Sequence, residues 1–313
     1  MKKLILLILG VFLFALSPIK KITYKGYISK IAYNKTYLVA GLEDGKIVIK
    51  NFKTLKTLKT LTLPKIHDFM GDLISMPIYS LDISPNNKKL MILAEGEDAK
   101  RVLFIYDFST SKIKKIFETK ETLMKGKFIT NDKIFFGLLS DEALLYSISQ
   151  HKNLYRTQIG NYVFSTYALN KDKTLALFGD ESGALKLVNV KNGKKLKEIS
   201  GYNKDKTLSC DIARNLVING SSDMRVGVYD IKTSYAKVEL KTKFLPYGST
   251  LSPNAAKFAI QYDEKNDIAV YSTNSKLLYL LKGHTMALNG IKFINNNTII
   301  SFSPAEILIW KLK

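Results

Sequence analysis

The sequence predicts an all-β fold, a seven-bladed β-propeller, and three observations lead to this prediction. Short apolar strands recur along the chain, the segments between them repeat one order of turn and strand, and the last repeat lacks a strand that the N-terminus can supply. Repeats of about forty residues are typical of four-stranded propeller blades. The chain has 313 residues, of which 46% are hydrophobic and 11% aromatic, so it can fill such a core.

Seven segments define the period, and each is a short apolar strand with a bulky residue near its end. They are residues 46–51, 102–107, 142–147, 184–189, 225–230, 267–272 and 306–311. The bulky positions are Lys50, Tyr106, Tyr146, Val188, Tyr229, Tyr271 and Trp310, at intervals of 56, 40, 42, 41, 42 and 39 residues. All intervals except the first lie in the range of a propeller blade.

The segments that flank these strands also repeat. A turn rich in Pro, Asn or Lys and a second β-prone run precede most of the strands, as at 84–93, 170–177 and 252–260. Lysine-rich runs of alternating polarity follow, at 56–63, 112–119, 152–159, 194–200, 235–242 and 276–282. Continuous apolar runs suit buried strands and alternating runs suit strands with one wet face, so we expect the lysine-rich strands at the outer edges.

The N-terminus is predicted to close the ring. The seventh repeat ends at Lys313, directly after the strand that contains Trp310, and therefore lacks an outer strand. Residues 18–26 resemble the outer strands of the other repeats but precede the first repeat. We predict that this segment pairs with the last three strands, so that the propeller domain spans residues 18–313.

The repeats resemble the WD-repeat family over the whole chain after the first 17 residues. Gly283-His284 stands where that family often has Gly-His, and Tyr106-Asp107 and Tyr229-Asp230 stand where it has Trp-Asp. Segments 43–45 and 220–223 look like its strand-turn signature. The resemblance implies a propeller in which His284 ties strands together.

The first 17 residues have the layout of a secretory signal peptide. Lys2 and Lys3 precede an apolar run, residues 4–16, which is shorter than the roughly 20 residues needed to span a bilayer. Ala15-Leu16-Ser17 supplies small residues for cleavage, whereas Pro18 disfavours cleavage directly after Ser17. Cleavage after Ala15 and a retained anchor both remain open. With the single cysteine, Cys210, no internal disulfide forms, which suits a bacterial periplasm.

Motifs for catalysis and metal binding are missing from the sequence. The three histidines, His67, His151 and His284, occur in no zinc-binding pattern, and there is no calcium loop, nucleophile elbow or glycine-rich phosphate loop. We therefore predict no enzyme activity, no cofactor and no metal. A catalytic or small-molecule site assembled by several blades around the central channel remains an alternative.

The formal net charge is +21, from 48 Lys and Arg against 27 Asp and Glu. Many of the lysines fall in the outer strands and their turns, where lysine prevents edge-to-edge aggregation. Export disfavours nucleic acid as a partner. Weak contact with an anionic membrane surface remains open, and we expect a monomer.

An insertion interrupts the regular period. The first interval is too long by about 15 residues relative to a typical blade, and the excess falls at residues 63–77. Insertions in repeat proteins often build the binding face. We predict that His67, Asp68, Phe69, Met70 and Asp72 bind a protein partner on an ordered element over the channel mouth. The alternative is an insertion that only caps its own blade.

The sequence His-Asp-Phe-Met-Gly at 67–71, in an exported and cysteine-poor propeller, resembles the accessory propellers of periplasmic nitrate reductase systems. That resemblance implies a partner among the nitrate reductase components and a role in maturation of the reductase or in its electron supply. An adaptor that serves as a scaffold for outer-membrane assembly is the alternative within the same fold and compartment.

Overall fold

The computed structural model describes residues 14–313, and their strands form seven blades arranged as a ring. The predicted seven-bladed propeller is confirmed. Six blades have four consecutive antiparallel strands, and the seventh has three strands and one from the N-terminus. The first strands of neighbouring blades contact one another and so surround a central channel. No helix among the described residues is long and apolar enough to cross a bilayer.

The strands follow the chain blade by blade. The N-terminal strands are β1 (Phe14–Leu16) and β2 (Lys20–Thr23). Blade one contains β3 (Ile28–Tyr33), β4 (Tyr37–Leu42), β5 (Lys46–Asn51) and β6 (Thr57–Thr62), and a hairpin of β7 (Lys65–His67) and β8 (Leu73–Ser75) follows it. Blade two contains β9 (Ile78–Ile83), β10 (Lys89–Glu95), β11 (Arg101–Asp107) and β12 (Lys112–Thr119), with a 3-10 turn at Glu97–Ala99. Blade three contains β13 (Leu123–Phe128), β14 (Lys133–Leu138), β15 (Glu142–Ser147) and β16 (Lys152–Gln158).

The remaining blades continue the same order. Blade four contains β17 (Phe164–Leu169), β18 (Leu175–Asp180), β19 (Leu185–Asn189) and β20 (Lys195–Ile199). Blade five contains β21 (Thr207–Ala213), β22 (Leu216–Ser221), β23 (Arg225–Asp230) and β24 (Ala236–Lys241). Blade six contains β25 (Ser249–Leu251), β26 (Lys257–Gln261), β27 (Ile268–Ser272) and β28 (Leu277–Leu281). Blade seven contains β29 (Gly290–Asn295), β30 (Thr298–Phe302) and β31 (Glu306–Lys311).

Because the strands alternate in direction, the turns separate onto two faces. We call the upper face the one formed by the turns between second and third strands and by the connections from one blade to the next. The lower face is formed by the turns between first and second strands and between third and fourth strands. The two faces have different sequences and therefore different chemistry.

Burial explains why the strands take these places. The second strands are almost wholly buried, as in β14 and β22, whereas the outer strand β6 is mostly exposed. This confirms that the apolar runs lie in the middle of the blades and the lysine-rich runs at their outer edges. The hydrophobic clusters lie between adjacent blades; one of them joins Val39 and Ile49 of blade one to Ile92 of blade two.

The N-terminal strand closes the ring as the sequence predicts. β2 pairs antiparallel with β31, with Lys20 opposite Ile309 and Thr23 opposite Glu306. Ile22 of β2 is buried in the cluster that joins blades seven and one. Residues 20–23 and the last strand of the chain are thus held in one sheet.

β1 adds a fifth strand to blade six. It pairs in parallel with β28, and the Lys282 amide donates a hydrogen bond of 3.0 Å to the Leu16 carbonyl oxygen. These three residues belong to the predicted signal peptide, residues 1–17, whose first 13 residues lie outside the described part of the chain. Cleavage after Ser17 would leave blade six with its four other strands.

A buried polar network holds blade seven together, as the family resemblance implies for His284. Its Nε2 lies 2.7 Å from Ser301 Oγ, its Nδ1 lies 3.2 Å from Glu306 Oε1, and Trp310 Nε1 donates to Ser301 Oγ at 2.8 Å. Burial lowers the pKa of His284 to about 4, against the opposing effect of Glu306. The ring is therefore neutral at pH 7 and ties strands together.

Blade five contains a variant of this network that the sequence analysis missed. Asn203 takes the place of the histidine: its Oδ1 accepts a hydrogen bond of 2.7 Å from the Tyr229 hydroxyl, and its Nδ2 donates one of 2.5 Å to Ser221 Oγ. Tyrosine thus replaces tryptophan and asparagine replaces histidine, but Tyr229 bonds to Asn203, whereas Trp310 bonds to Ser301.

Closure by β2 is expected to stabilise the whole ring. Deleting residues 18–26 exposes the backbone edge of β31 and should lower the melting temperature and the solubility. A point variant tests the same contact: Ile22→Asn places a polar side chain in the closing core and should cost about 2 kcal/mol or more.

The control is Ile19→Asn, which makes the same substitution three residues earlier at an exposed side chain. Thermal unfolding followed by circular dichroism compares the variants. If Ile22→Asn and the deletion have the same melting temperature as Ile19→Asn, β2 does not stabilise the ring.

Candidate functional site

The insertion forms a β-hairpin on the upper face. Lys65 pairs with Ser75 and His67 with Leu73, and Ile66 and Met76 are buried in the core between blades one and two. The predicted ordered element is therefore present. Strand β7 contacts the 3-10 turn between the second and third strands of blade two, so the base of the hairpin lies over the middle of that blade.

The tip of the hairpin is organised by Asp68. Its Oδ1 accepts hydrogen bonds of 2.9 Å from the amides of Met70 and Asp72, and the Asp68 amide donates to the Asp72 carbonyl oxygen at 3.0 Å. This turn leaves Phe69 96% exposed and Met70 74% exposed. Asp68 thus holds the loop in shape, while Phe69 and Met70 are presented to solvent.

His67 and Asp72 flank this tip. The His67 amide donates to Glu97 Oε1 at 3.2 Å, and the His67 ring Nδ1 lies 3.4 Å from the same oxygen. The Asp72 side chain is exposed. All five predicted partner-binding residues therefore lie within one hairpin, and the contact with Glu97 fixes it to blade two.

Exposed apolar side chains are concentrated on the upper face around the ring. Besides the hairpin, they occur in the connections into blades one, four, six and seven and in the turns between the second and third strands of blades three and five. They are Tyr27, Leu139, Tyr162, Val163, Met224, Tyr247 and Met286, and Leu73 is an exposed residue of the hairpin itself. In the turns of the lower face, Tyr235 is the one described large apolar residue with comparable exposure. The sequence analysis missed this pattern because it depends on assigning every turn to a face.

Charged residues also separate between the faces. In the connections of the upper face, the acids are Glu43, Asp44, Asp68, Asp72, Glu97, Asp98, Glu121, Asp141, Glu181, Asp205, Asp223, Asp263, Glu264 and Asp267. In the turns of the lower face, the bases are Lys35, Lys53, Lys56, Lys88, Lys171, Lys173, Lys191, Lys194, Arg214, Lys232 and Lys276, and the acids are Asp132 and Asp172. The upper face is rich in acids and the lower face is strongly basic.

A buried acidic pair lies beneath the upper face between blades three and four. Asp141 and Asp180 are both fully buried, and Asp180 forms an ion pair with Lys186. The carboxylate oxygens of Asp141 have no hydrogen-bond donor among the described residues. Burial and the neighbouring Asp180 raise the pKa of Asp141 to about 7, with Lys186 opposing. Gly160 packs against the pair, where a side chain would collide with Asp141.

Two ion pairs cross between blades at the channel. Asp82 accepts hydrogen bonds from Lys127 Nζ at 3.1 Å and from the Phe128 amide at 2.8 Å. Asp211 of blade five pairs with Lys292 of blade seven. Both acids are thus engaged in holding blades together.

The other titratable groups of the channel also favour a structural role. Lys125 Nζ donates to Thr166 Oγ1 at 3.0 Å and to the Tyr167 carbonyl oxygen at 2.7 Å, and burial, together with neighbouring lysines, lowers its pKa to about 8. Burial raises the pKa of Cys210 to about 12, which makes its thiol a poor nucleophile at neutral pH. Around the channel, the described residues form no group of three metal-ligating side chains.

Comparison with solved structures identifies the architecture. The β-propeller domain of Cps50 (Swd1) from Myceliophteria thermophila superposes with a TM-score of 0.73 over 95% of this chain and 99% of that domain. The chain therefore has the β-propeller fold. The sequence identity is 13%, so the likeness shows the fold alone. No protein-family profile and no curated protein sequence matches the chain.

In this propeller, the Asp141 pair should make stability depend on pH. Because the pKa of Asp141 is about 7 in the folded state against 3.8 in its unperturbed state, its favourable contribution is complete below about pH 4 and is lost as the pH rises to about 7. Asp141→Asn resembles the protonated carboxyl. At pH 4 the variant should melt at nearly the same temperature as the parent. At pH 8 it should melt at a higher temperature, and its free energy of unfolding should exceed that of the parent by up to about 4 kcal/mol.

The control is Asp172→Asn, which removes an exposed carboxylate on the lower face. The quantity to compare is the melting temperature of each variant minus that of the parent across this pH range. The titration of His284 lowers stability as the pH falls, but it is common to the parent and both variants and cancels in this difference. An Asp141→Asn difference that stays constant with pH contradicts the assigned protonation.

Proposed function

We propose that this propeller is a non-catalytic adaptor, exported to the periplasm, that binds a partner protein through its upper face. The observation that supports this most directly is the hairpin tip, where Phe69 and Met70 are almost fully exposed on an ordered turn. A large apolar side chain held in water is unfavourable unless it is covered in a complex. The fold itself is one that serves as an interaction scaffold.

The geometry of the hairpin suits an interface anchor. The buried side chains of Ile66 and Met76 fix its base, and Asp68 fixes its tip, so little conformational entropy is lost on binding. Aromatic side chains provide a large share of the binding energy in protein interfaces. The exposed tyrosines of the same face, including Tyr27 and Tyr162, extend the apolar surface around the ring.

Within this proposal, the partner is a component of a periplasmic nitrate reductase system, and the chain is a relative of the accessory propeller NapL. The support is the sequence His-Asp-Phe-Met-Gly at 67–71, together with the export signal and the lack of cysteine pairs. The chain would then assist maturation of the reductase or its electron supply. Capture of outer-membrane assembly components instead would favour the scaffold alternative.

The channel offers one observation in favour of a small-molecule site. Lys30 forms no ion pair among the described residues, while Asp82 and Asp211 are already paired with Lys127 and Lys292. The ligand that fits this excess of positive charge is a small anion. Titration with inorganic phosphate, in the parent and in Lys30→Gln, distinguishes a channel binder from an adaptor that binds through its hairpin.

Truncation of the anchor tests the adaptor proposal. Phe69→Ala should weaken binding of the partner by about 2 kcal/mol or more, roughly thirtyfold in Kd, because it removes the most exposed aromatic side chain of the hairpin. Pull-down from periplasmic extract identifies the partner, and titration with the purified partner measures the loss. The melting temperature should not change.

Tyr235→Ala is the matched control, because Tyr235 is 78% exposed but lies in a lower-face turn of blade five. It should retain the partner. If Phe69→Ala binds as the parent does, or if Tyr235→Ala loses the partner equally, the upper-face site is wrong.

Asp68→Ala separates shape from direct contact. Removal of its carboxylate leaves the amides of Met70 and Asp72 without their acceptor, so the tip should become mobile and the partner should bind about tenfold more weakly. Hydrogen exchange of the hairpin amides should increase in this variant. Weaker binding with unchanged exchange would mean that Asp68 contacts the partner directly.

A further inference from the structure

The lower face carries a concentration of unpaired positive charge. The lysines and the arginine of its turns belong to five of the seven blades, and none of them forms an ion pair within the described residues. Nearly all of these side chains are exposed. Some acids at the upper face, in contrast, pair with neighbouring bases, as Glu181 does with Lys206 and Asp267 with Lys282.

Protection of strand edges does not explain this distribution. Lysines that only protect the outer strands from aggregation would be needed equally along the strands and at both of their ends. Here the turns of one face are basic and the connections of the other are rich in acids. A surface of one sign, with fixed orientation relative to the fold, is typical of attraction to an extended surface of the opposite sign.

The first described strand, β1, begins on the lower side of blade six. β1 runs parallel to β28, from the lower side of blade six towards the upper side, and its first described residue is Phe14, which pairs with Tyr279. The preceding 13 residues include most of the apolar run that starts at Leu4. Phe14, the first described residue, is thus at the end of β1 that is nearer the basic lower face.

We propose that the lower face docks on an anionic membrane, with phospholipid headgroups as its ligand, and that this orients the upper face and its hairpin away from the bilayer. Each lysine near such a surface adds to the attraction, and the attraction decreases with salt. A chain that combines an apolar segment with a basic patch binds membranes more stably than a chain with either alone. Nucleic acid fits less well, because stacking needs exposed aromatic rings and the described lower-face turns offer Tyr235 alone.

This inference goes beyond the proposed adaptor function, which does not require a membrane. The test uses two triple variants of the full chain with the same change in net charge. Lys35→Gln, Lys171→Gln and Lys232→Gln neutralise lower-face turns of three blades, whereas Lys25→Gln, Lys204→Gln and Lys265→Gln neutralise exposed, unpaired lysines of the upper face. Both triple variants keep residues 1–17 unchanged, so any contribution of this segment to vesicle binding is the same in both.

The measurement is sedimentation with vesicles in which about one third of the lipid is phosphatidylglycerol, and with vesicles of phosphatidylcholine alone, at low and at physiological salt. The lower-face triple variant should bind the anionic vesicles about tenfold or more weakly than the parent, and the upper-face triple variant should bind as the parent does. Binding to phosphatidylcholine should be equal for all three proteins.

Equal losses in both triple variants would overturn the proposal, since net charge alone would then explain the binding, and so would no loss in either. A single-stranded oligonucleotide that binds as tightly as the anionic vesicles, with the same dependence on the lower-face lysines, would assign the face to nucleic acid instead. The Phe69-dependent partner should still bind to the lower-face variant, so failure of the membrane proposal and failure of the adaptor proposal are distinguishable.

Discussion

The structure depends on hydrophobic cores that are shared between neighbouring blades. Val39 and Ile49 of blade one pack in one cluster with Ile92 of blade two, and Ala259 and Val270 of blade six pack in another with Trp310 of blade seven. A blade removed from the ring would therefore expose both of its faces. The ring is stable only when every gap is filled, which is why a strand from the N-terminus completes the sheet at the C-terminus.

Sharing the cores in this way leaves the turns free to differ. The middle strands supply the buried surface, and the turns are constrained mainly by the need to reverse the chain. An extra hairpin therefore fits after blade one, provided that Ile66 and Met76 continue the core beneath it. The upper face contains this hairpin, most of the exposed aromatic residues of the turns and most of their acids, while the turns of the lower face contain mainly lysines. The two faces therefore differ in their turns, on a scaffold that the strands make rigid.

The period of apolar runs was sufficient to predict the blades. Residues 46–51, 142–147 and 225–230 are strands with the predicted limits, because an uninterrupted apolar run can be satisfied only in the middle of a blade. The site was predictable in part: the interruption of the period located the hairpin and its exposed tip. Its radial position was not predictable, since that depends on the contact with Glu97, thirty residues away in sequence. The roles of Asn203 and of the Asp141–Asp180 pair could not be predicted either, because their partners come from other strands or from another blade.

The pairing of charges indicates what each face can bind. To cover a charged group with protein, its hydration must be removed, and this is costly unless the charge is already neutralised. At the upper face, some acids, such as Glu181 and Asp267, are paired within the propeller, which lowers the cost of covering the apolar residues beside them. The unpaired lysines of the lower face would be costly to bury under a protein, but they keep their water beside a layer of hydrated headgroups. The same fold thus presents one surface suited to burial and another suited to long-range attraction, and the rigid ring fixes the angle between them.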